Sequence, residues 1–198
     1  MPPRSRPRPS ALARRGAAAA AATTALVAVL LSGCAGAPEP SPTPTAAAPS
    51  VEPIFASDEE ALAAAIEAYE AFESASQSIA SQAGEGAERI ADFATPSLVP
   101  QLLDEFAQYR ELGIRAEGAA VLDSFSLAQA SDDGSETRVT VYVCRDVTSV
   151  RILDDSGADV TPPDRDNRTP LTASLVALAG TTKLLVDEVS LWPGDDFC

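Results

Sequence analysis

The chain contains no histidine, and that absence closes several routes to catalysis. A Ser-His-Asp triad, a Cys-His dyad and imidazole ligation of a metal all need that ring. No phosphate-binding loop or dinucleotide fingerprint occurs. Acid–base chemistry is left to carboxylates and phenols. A carboxylate acts as a base near neutral pH only if burial or a neighbouring acid raises its pKa. Most of the 29 Asp and Glu residues fall on helix faces, in turns or in the loop 164–168, where water keeps them ordinary. Asp123 and Asp187 are the exceptions, because each lies within a predicted strand. Tyr69 and Tyr109 lie on apolar helix faces, where packing with a satisfied hydroxyl is the usual role. Asp132-Asp133, Asp154-Asp155-Ser156-Gly157-Ala158-Asp159 and Asp195-Asp196 offer oxygens to a cation. Their spacing does not match an EF-hand loop, and turns enrich Asp and Gly for backbone reasons. Asn167-Arg168-Thr169 spells a glycosylation sequon and reads as loop. No catalytic residue, metal site or cofactor is expected.

The elements that position these groups follow from periodicity. Ser57-Asp58-Glu59-Glu60 reads as a capping box. Leu62, Ile66, Tyr69 and Phe72 then recur at helical spacing, extended by Ile79, with Glu60, Glu67 and Glu70 opposite. Gly84 and Gly86 break the pattern. A short helix is expected over 87–94, burying Ile90 and Phe93. Thr95-Pro96 looks like an N-cap followed by proline. The helix it starts turns Leu98, Leu102, Leu103, Phe106 and Tyr109 inward, and Gly113 ends it. The period then becomes alternating. Residues 114–129 read as one long or bulged strand, with Gly118 at the bulge. A turn at Ser131-Asp132-Asp133-Gly134 leads to the clearest strand, 137–146, where Val139, Val141 and Val143 alternate with Arg138, Thr140, Tyr142 and Cys144. Further strands are expected over 147–153, 171–178 and 183–192, the last two joined across Gly180. Helices followed by antiparallel strands make an α+β domain.

The N-terminus is different in kind. Residues 1–16 are basic, and residues 17–31 are uncharged and rich in alanine, leucine and valine. This is a positive n-region before an apolar h-region, and fifteen residues fall short of the roughly 20 that span a membrane. Leu31-Ser32-Gly33-Cys34 follows directly and resembles the lipobox of bacterial lipoprotein precursors at all four positions. The resemblance implies that residues 1–33 are a removable signal peptide and that Cys34 becomes a lipid-modified, palmitate-bearing first residue. Two or more acyl chains suffice for stable membrane anchoring. Arg14-Arg15 hints at twin-arginine export, but its surroundings do not fit that motif, so the general secretory route is preferred. Residues 34–56 form the anchor and a tether with six prolines among Ala, Ser and Thr. An extended polyproline path of that length reaches roughly 70 Å at most. The folded domain is 57–198.

With Cys34 used by the lipid, Cys144 and Cys198 are an even pair in an oxidising compartment and are expected to form a disulfide. Two free thiols or a metal site are the alternatives, the latter without metal-type spacing. Cys144 alternates away from Val139, Val141 and Val143, so either the C-terminal tail crosses to the other sheet face or the strand twists near its end. Charge is uneven as well. Five of the fourteen basic residues precede Cys34 and no acid does, so the remainder sets nine basic residues against 29 acidic ones, a net of −20. Such a surface repels nucleic acid and anionic headgroups.

Tyr142–Val147 ("YVCRDV"), Arg151–Pro162 ("RILDDSGADVTP") and Trp192–Cys198 ("WPGDDFC") resemble small lipoproteins of the nuclear transport factor 2-like fold from GC-rich Gram-positive bacteria. The resemblance covers residues 58–198. It implies a curved, cone-like sheet wrapped around N-terminal helices, with dimers through the sheet common in the group. Relatives include isomerases and cyclases whose cone pocket holds an Asp or His base. By that analogy Tyr69, Tyr109, Asp123 and Asp187 are the candidate pocket residues, though no catalytic motif carries over. The expected function is a lipid-anchored protein on the extracytoplasmic face of the cell envelope. It would act as a non-catalytic binding or structural module toward an unknown ligand or envelope protein. The alternative is a small-molecule enzyme of isomerase, cyclase or hydratase type using a carboxylate base in the cone.

Overall fold

A computed structural model describes residues 53–178 and 180–198. The expected signal peptide 1–33, the expected lipobox Leu31, Ser32, Gly33 and Cys34, and the expected tether as far as residue 52 lie outside the described residues.

Helix α1 runs Asp58–Ser81. Ser57 caps it: its Oγ accepts the Glu60 N–H at 3.3 Å. Glu60 turns back to the Ala56 N–H at 2.8 Å, one residue outside the reciprocal partner of an ideal capping box. The buried stripe is Ala61, Ala65, Tyr69, Phe72 and Ile79, while Leu62 and Ile66 sit half-buried at its flanks. Two members of that stripe, Ala61 and Ala65, are as fully buried as its large residues. Helix α1 ends where Gly84, at φ +78°, lies against the Phe106 carbonyl with no room for a Cβ.

The short helix expected over 87–94 is a 3-10 helix, Ala87–Asp92, that buries Ile90. Helix α2 is Val99–Leu112 with Pro100 in its first turn and Gly113, φ 63°, closing it. Thr95 is not its cap. The Thr95 backbone N–H bonds Val186 O at 2.8 Å and its hydroxyl goes to Asp187, so the residue ties the helix entry to the sheet.

The sheet of four strands, in the order β2-β3-β5-β6, is antiparallel throughout. Its members are β2 (Val121–Asp132), β3 (Glu136–Asp146), β5 (Arg168–Leu178) and β6 (Leu185–Leu191). Strands β1 (Ile114–Glu117) and β4 (Arg151–Asp154) make a separate pair. The single strand expected over 114–129 is thus two strands in two sheets. The break falls at Gly118, whose φ of +101° and approach to the Ser149 carbonyl exclude a side chain. The strand expected over 147–153 begins only at Arg151, because residues 147–150 turn, with the Val150 N–H on Val147 O at 2.9 Å. Register shifts near Ser124 and Ala128 bend β2, and Ser124 itself has φ 57°. The inner face of the curved sheet presents Val139, Val141, Val143, Ala173, Leu175 and Val186 to α1.

The tail crosses the outer face. Trp192 packs edge-on against Tyr142 with ring centroids 4.7 Å apart, and Phe197 follows at 6.0 Å. Cys198 is bonded to Cys144, whose own side chain is fully buried beneath it, with Cα atoms 5.5 Å apart. The α+β class and the disulfide follow the expectations drawn from the sequence, and of the two expected routes to Cys144 the tail takes the crossing.

Candidate functional site

A cleft of about 450 Å³ opens between α1, α2 and the inner face of the sheet. Helix α1 contributes Tyr69, Phe72, Glu73 and Ser76, successive members of one helical face. Helix α2 contributes Leu102, Phe106 and Tyr109 at the same spacing. Strand β3 contributes Arg145. The parity that puts Val139, Val141 and Val143 inside puts Arg145 on the cleft side too, one residue before the end of the strand.

Arg145 and Glu73 form the polar centre. The Arg145 Nε–H is shared between Glu73 Oε1 at 3.0 Å and Oε2 at 3.1 Å. The Tyr69 hydroxyl donates to the same Oε1 at 3.4 Å, a long bond. Burial, then the neighbouring Glu73 charge, pushes the Tyr69 phenol well up from its ordinary range. Burial raises Tyr109 as well, with Arg145 opposing. Both phenols therefore stay protonated as hydroxyl donors across the neutral range. Arg165 also lines the cleft, but its Nη2 already donates to Val147 O at 2.9 Å and Val150 O at 3.0 Å. The Ser76 Oγ is buried without a hydrogen-bond partner.

Of the four candidate pocket residues, Tyr69 and Tyr109 line the cleft and Asp123 and Asp187 do not. Asp123 pairs across the strands with Cys144 and so shares its outer face. The hydrogen bond from Arg168 Nη2 at 2.9 Å, and that from Ser124, hold its carboxyl below the usual range. Arg168 also reaches Asp146 at 3.2 Å and the Cys198 carbonyl at 2.9 Å, clamping the tail around the disulfide. Asp187 follows the fully buried Val186 and points the other way. It accepts from Thr95 Oγ1 at 2.9 Å, Ser97 Oγ at 3.1 Å and Arg138 Nη1 at 2.9 Å. Burial works against its charged form, but these donors prevail and its pKa lies below the ordinary value. Both aspartates brace the fold.

The acid-rich turns also serve the backbone. Asp132 accepts the Gly134 N–H at 2.8 Å, Asp133 the Ser135 N–H at 2.9 Å, and Asp154 the Ser156 and Ala158 N–H groups, both at 2.9 Å. Among the described residues no three His, Cys, Asp or Glu side chains converge as a metal site. No described helix is long and apolar enough to cross a membrane.

No family model matches the chain, and no curated protein matches it. Solved structures give loose likenesses. The intermembrane space region of the chloroplast protein ARC6 is 18% identical with a TM-score of 0.42, over 63% of this chain and 94% of that one. A protein from Catenulispora acidiphila is 14% identical with a TM-score of 0.39, over 65% and 92%. CagV, a VirB8 homolog of the T4SS from Helicobacter pylori, is 14% identical with a TM-score of 0.29, over 53% and 77%. Likeness at this level assigns neither a family nor an activity.

Proposed function

We propose that the chain is a lipid-anchored protein on the extracytoplasmic face of a bacterial cell envelope, and that its domain, of the nuclear transport factor 2-like kind, is a non-catalytic binding module. The observation that carries this reading is the cleft, where apolar walls from α1, α2 and the sheet meet one ion pair, Arg145–Glu73. A mostly apolar concavity with a few fixed polar groups is the usual form of a small-ligand site. Export and anchoring through Cys34 are supported by the n-region, h-region and lipobox in register. The Cys144–Cys198 bond supports an oxidising compartment.

One observation favours an enzyme of isomerase, cyclase or hydratase type: Glu73 is a carboxylate beside a tyrosine in an open cleft. Against it, both Glu73 oxygens already share the Arg145 N–H. A general base must instead reach a substrate proton. The two readings separate in one experiment. The chain is purified natively from envelopes, and the small molecules it releases on unfolding are identified by mass and added back. A binding module returns them unchanged. Conversion by the wild type that is lost in Glu73→Gln would establish the enzyme.

A further inference from the structure

We infer that the cleft takes a small amphiphile with a single carboxylate head, seated on the terminal edge of Arg145 with its apolar body along α2. The inference rests on the reading of the cleft as a binding site. Glu73 uses only the Nε–H of Arg145. Among the described residues the two terminal nitrogens meet no acceptor, although the side chain lines the cleft and is only 39% exposed. The other cleft arginine differs, since Arg165 is occupied by backbone carbonyls and Asn167. A guanidinium edge presents parallel N–H donors that a planar carboxylate accepts in pairs.

Charge selects among heads. Glu73, Glu105, Arg145 and Arg165 line the cleft, two acids against two bases. A monoanion leaves one net negative charge there. A phosphate monoester would leave nearly two, between apolar walls and on an already acidic chain. A cationic head would have to turn to Glu73, which already accepts from Arg145 and Tyr69, or to Glu105, which accepts from Gln101. The body of the ligand has Leu102 and Phe106 on one side and Val147, Ile152 and Leu171 on the other. The volume of about 450 Å³ falls within the range of small-ligand pockets, roughly 300–1,000 Å³.

The test titrates the full chain, disulfide closed, with octanoate, octanamide and octyltrimethylammonium. Calorimetry gives affinity, and the methyl NMR signals of Leu102 and Leu171 locate the site. Octanoate is expected to bind about tenfold tighter than octanamide, and the cation to be rejected. Arg145→Gln combined with Glu73→Gln, which leaves no unpaired carboxylate, should bring octanoate down to the amide's affinity. Arg145→Lys should recover part of the difference. If octanamide or the cation binds as tightly as octanoate, the carboxylate assignment is overturned and the cleft remains a binding site. If none of the three moves the Leu102 and Leu171 methyls, both readings fall. The wild-type comparison decides even if the double variant does not fold.

Discussion

At the scale of residues, the cleft depends on what each charged side chain is already bonded to. Asp187 is spent on structure, joining the entry of α2 through Thr95 and Ser97 to β3 through Arg138. Its carboxyl lies below the ordinary value of 3.8, so its stabilising effect is complete above that pH and is lost as pH falls through the lower, folded-state value. Asp187→Asn should cost about 1–2 kcal/mol at pH 7. The gap from wild type should shrink as pH drops below 3.8. Urea midpoints measured from pH 7 down to pH 2 check this, and a gap independent of pH would refute it. Arg145 was missed in the sequence, although the signal was there: it is an arginine at the inward parity of the clearest strand, after Val139, Val141 and Val143. Its partner Glu73 was harder to read, because α1 carries acids on more than one face and only the fold shows which turns inward. Asp123 and Asp187 were misread for the complementary reason. A position within a strand does not fix which sheet face a side chain takes until bulges and tail are known.

At the scale of elements, alternation identified β3 and the turn before it, since one side of that strand is buried and the other is held by the tail. It failed over 114–129, where apolar residues run on through a change of sheet. A one-dimensional pattern has no mark for such a change except the glycine that permits it. Gly118→Ala should test that hinge. The new methyl would meet the Ser149 carbonyl at a φ of +101° that alanine rarely adopts. A loss of about 1–3 kcal/mol is expected. A variant as stable as wild type in thermal melts would show that the backbone shifts there at little cost. The inner stripe of α1 was likewise only half legible. Its large apolar residues were visible, but the buried alanines look neutral in a hydrophobic pattern.

At the scale of the whole molecule, the two faces of the sheet do different things. The inner face, with the helices, encloses the cleft, and the outer face is closed by a tail that the Cys144–Cys198 bond and Arg168 hold down. The residues joined lie 54 apart, so cross-linking removes much freedom from the unfolded chain. Replacing both cysteines by alanine should cost about 2–4 kcal/mol while leaving octanoate binding in place, because the cleft is on the other face. Urea denaturation with and without reductant checks the first part, and loss of binding would contradict the second. The fold class was readable because helices precede strands in the chain; the splitting off of β1 and β4 was not. Mass spectrometry of the processed chain reads its anchoring and its disulfide together. The full chain is expressed from its own N-terminus in a Gram-positive host and recovered from the membrane fraction. The expected product begins at an acylated Cys34 and carries the Cys144–Cys198 bond, with both acylation and membrane retention abolished by Cys34→Ala. A chain that still begins at Met1, soluble in the cytoplasm with both thiols free, would contradict it.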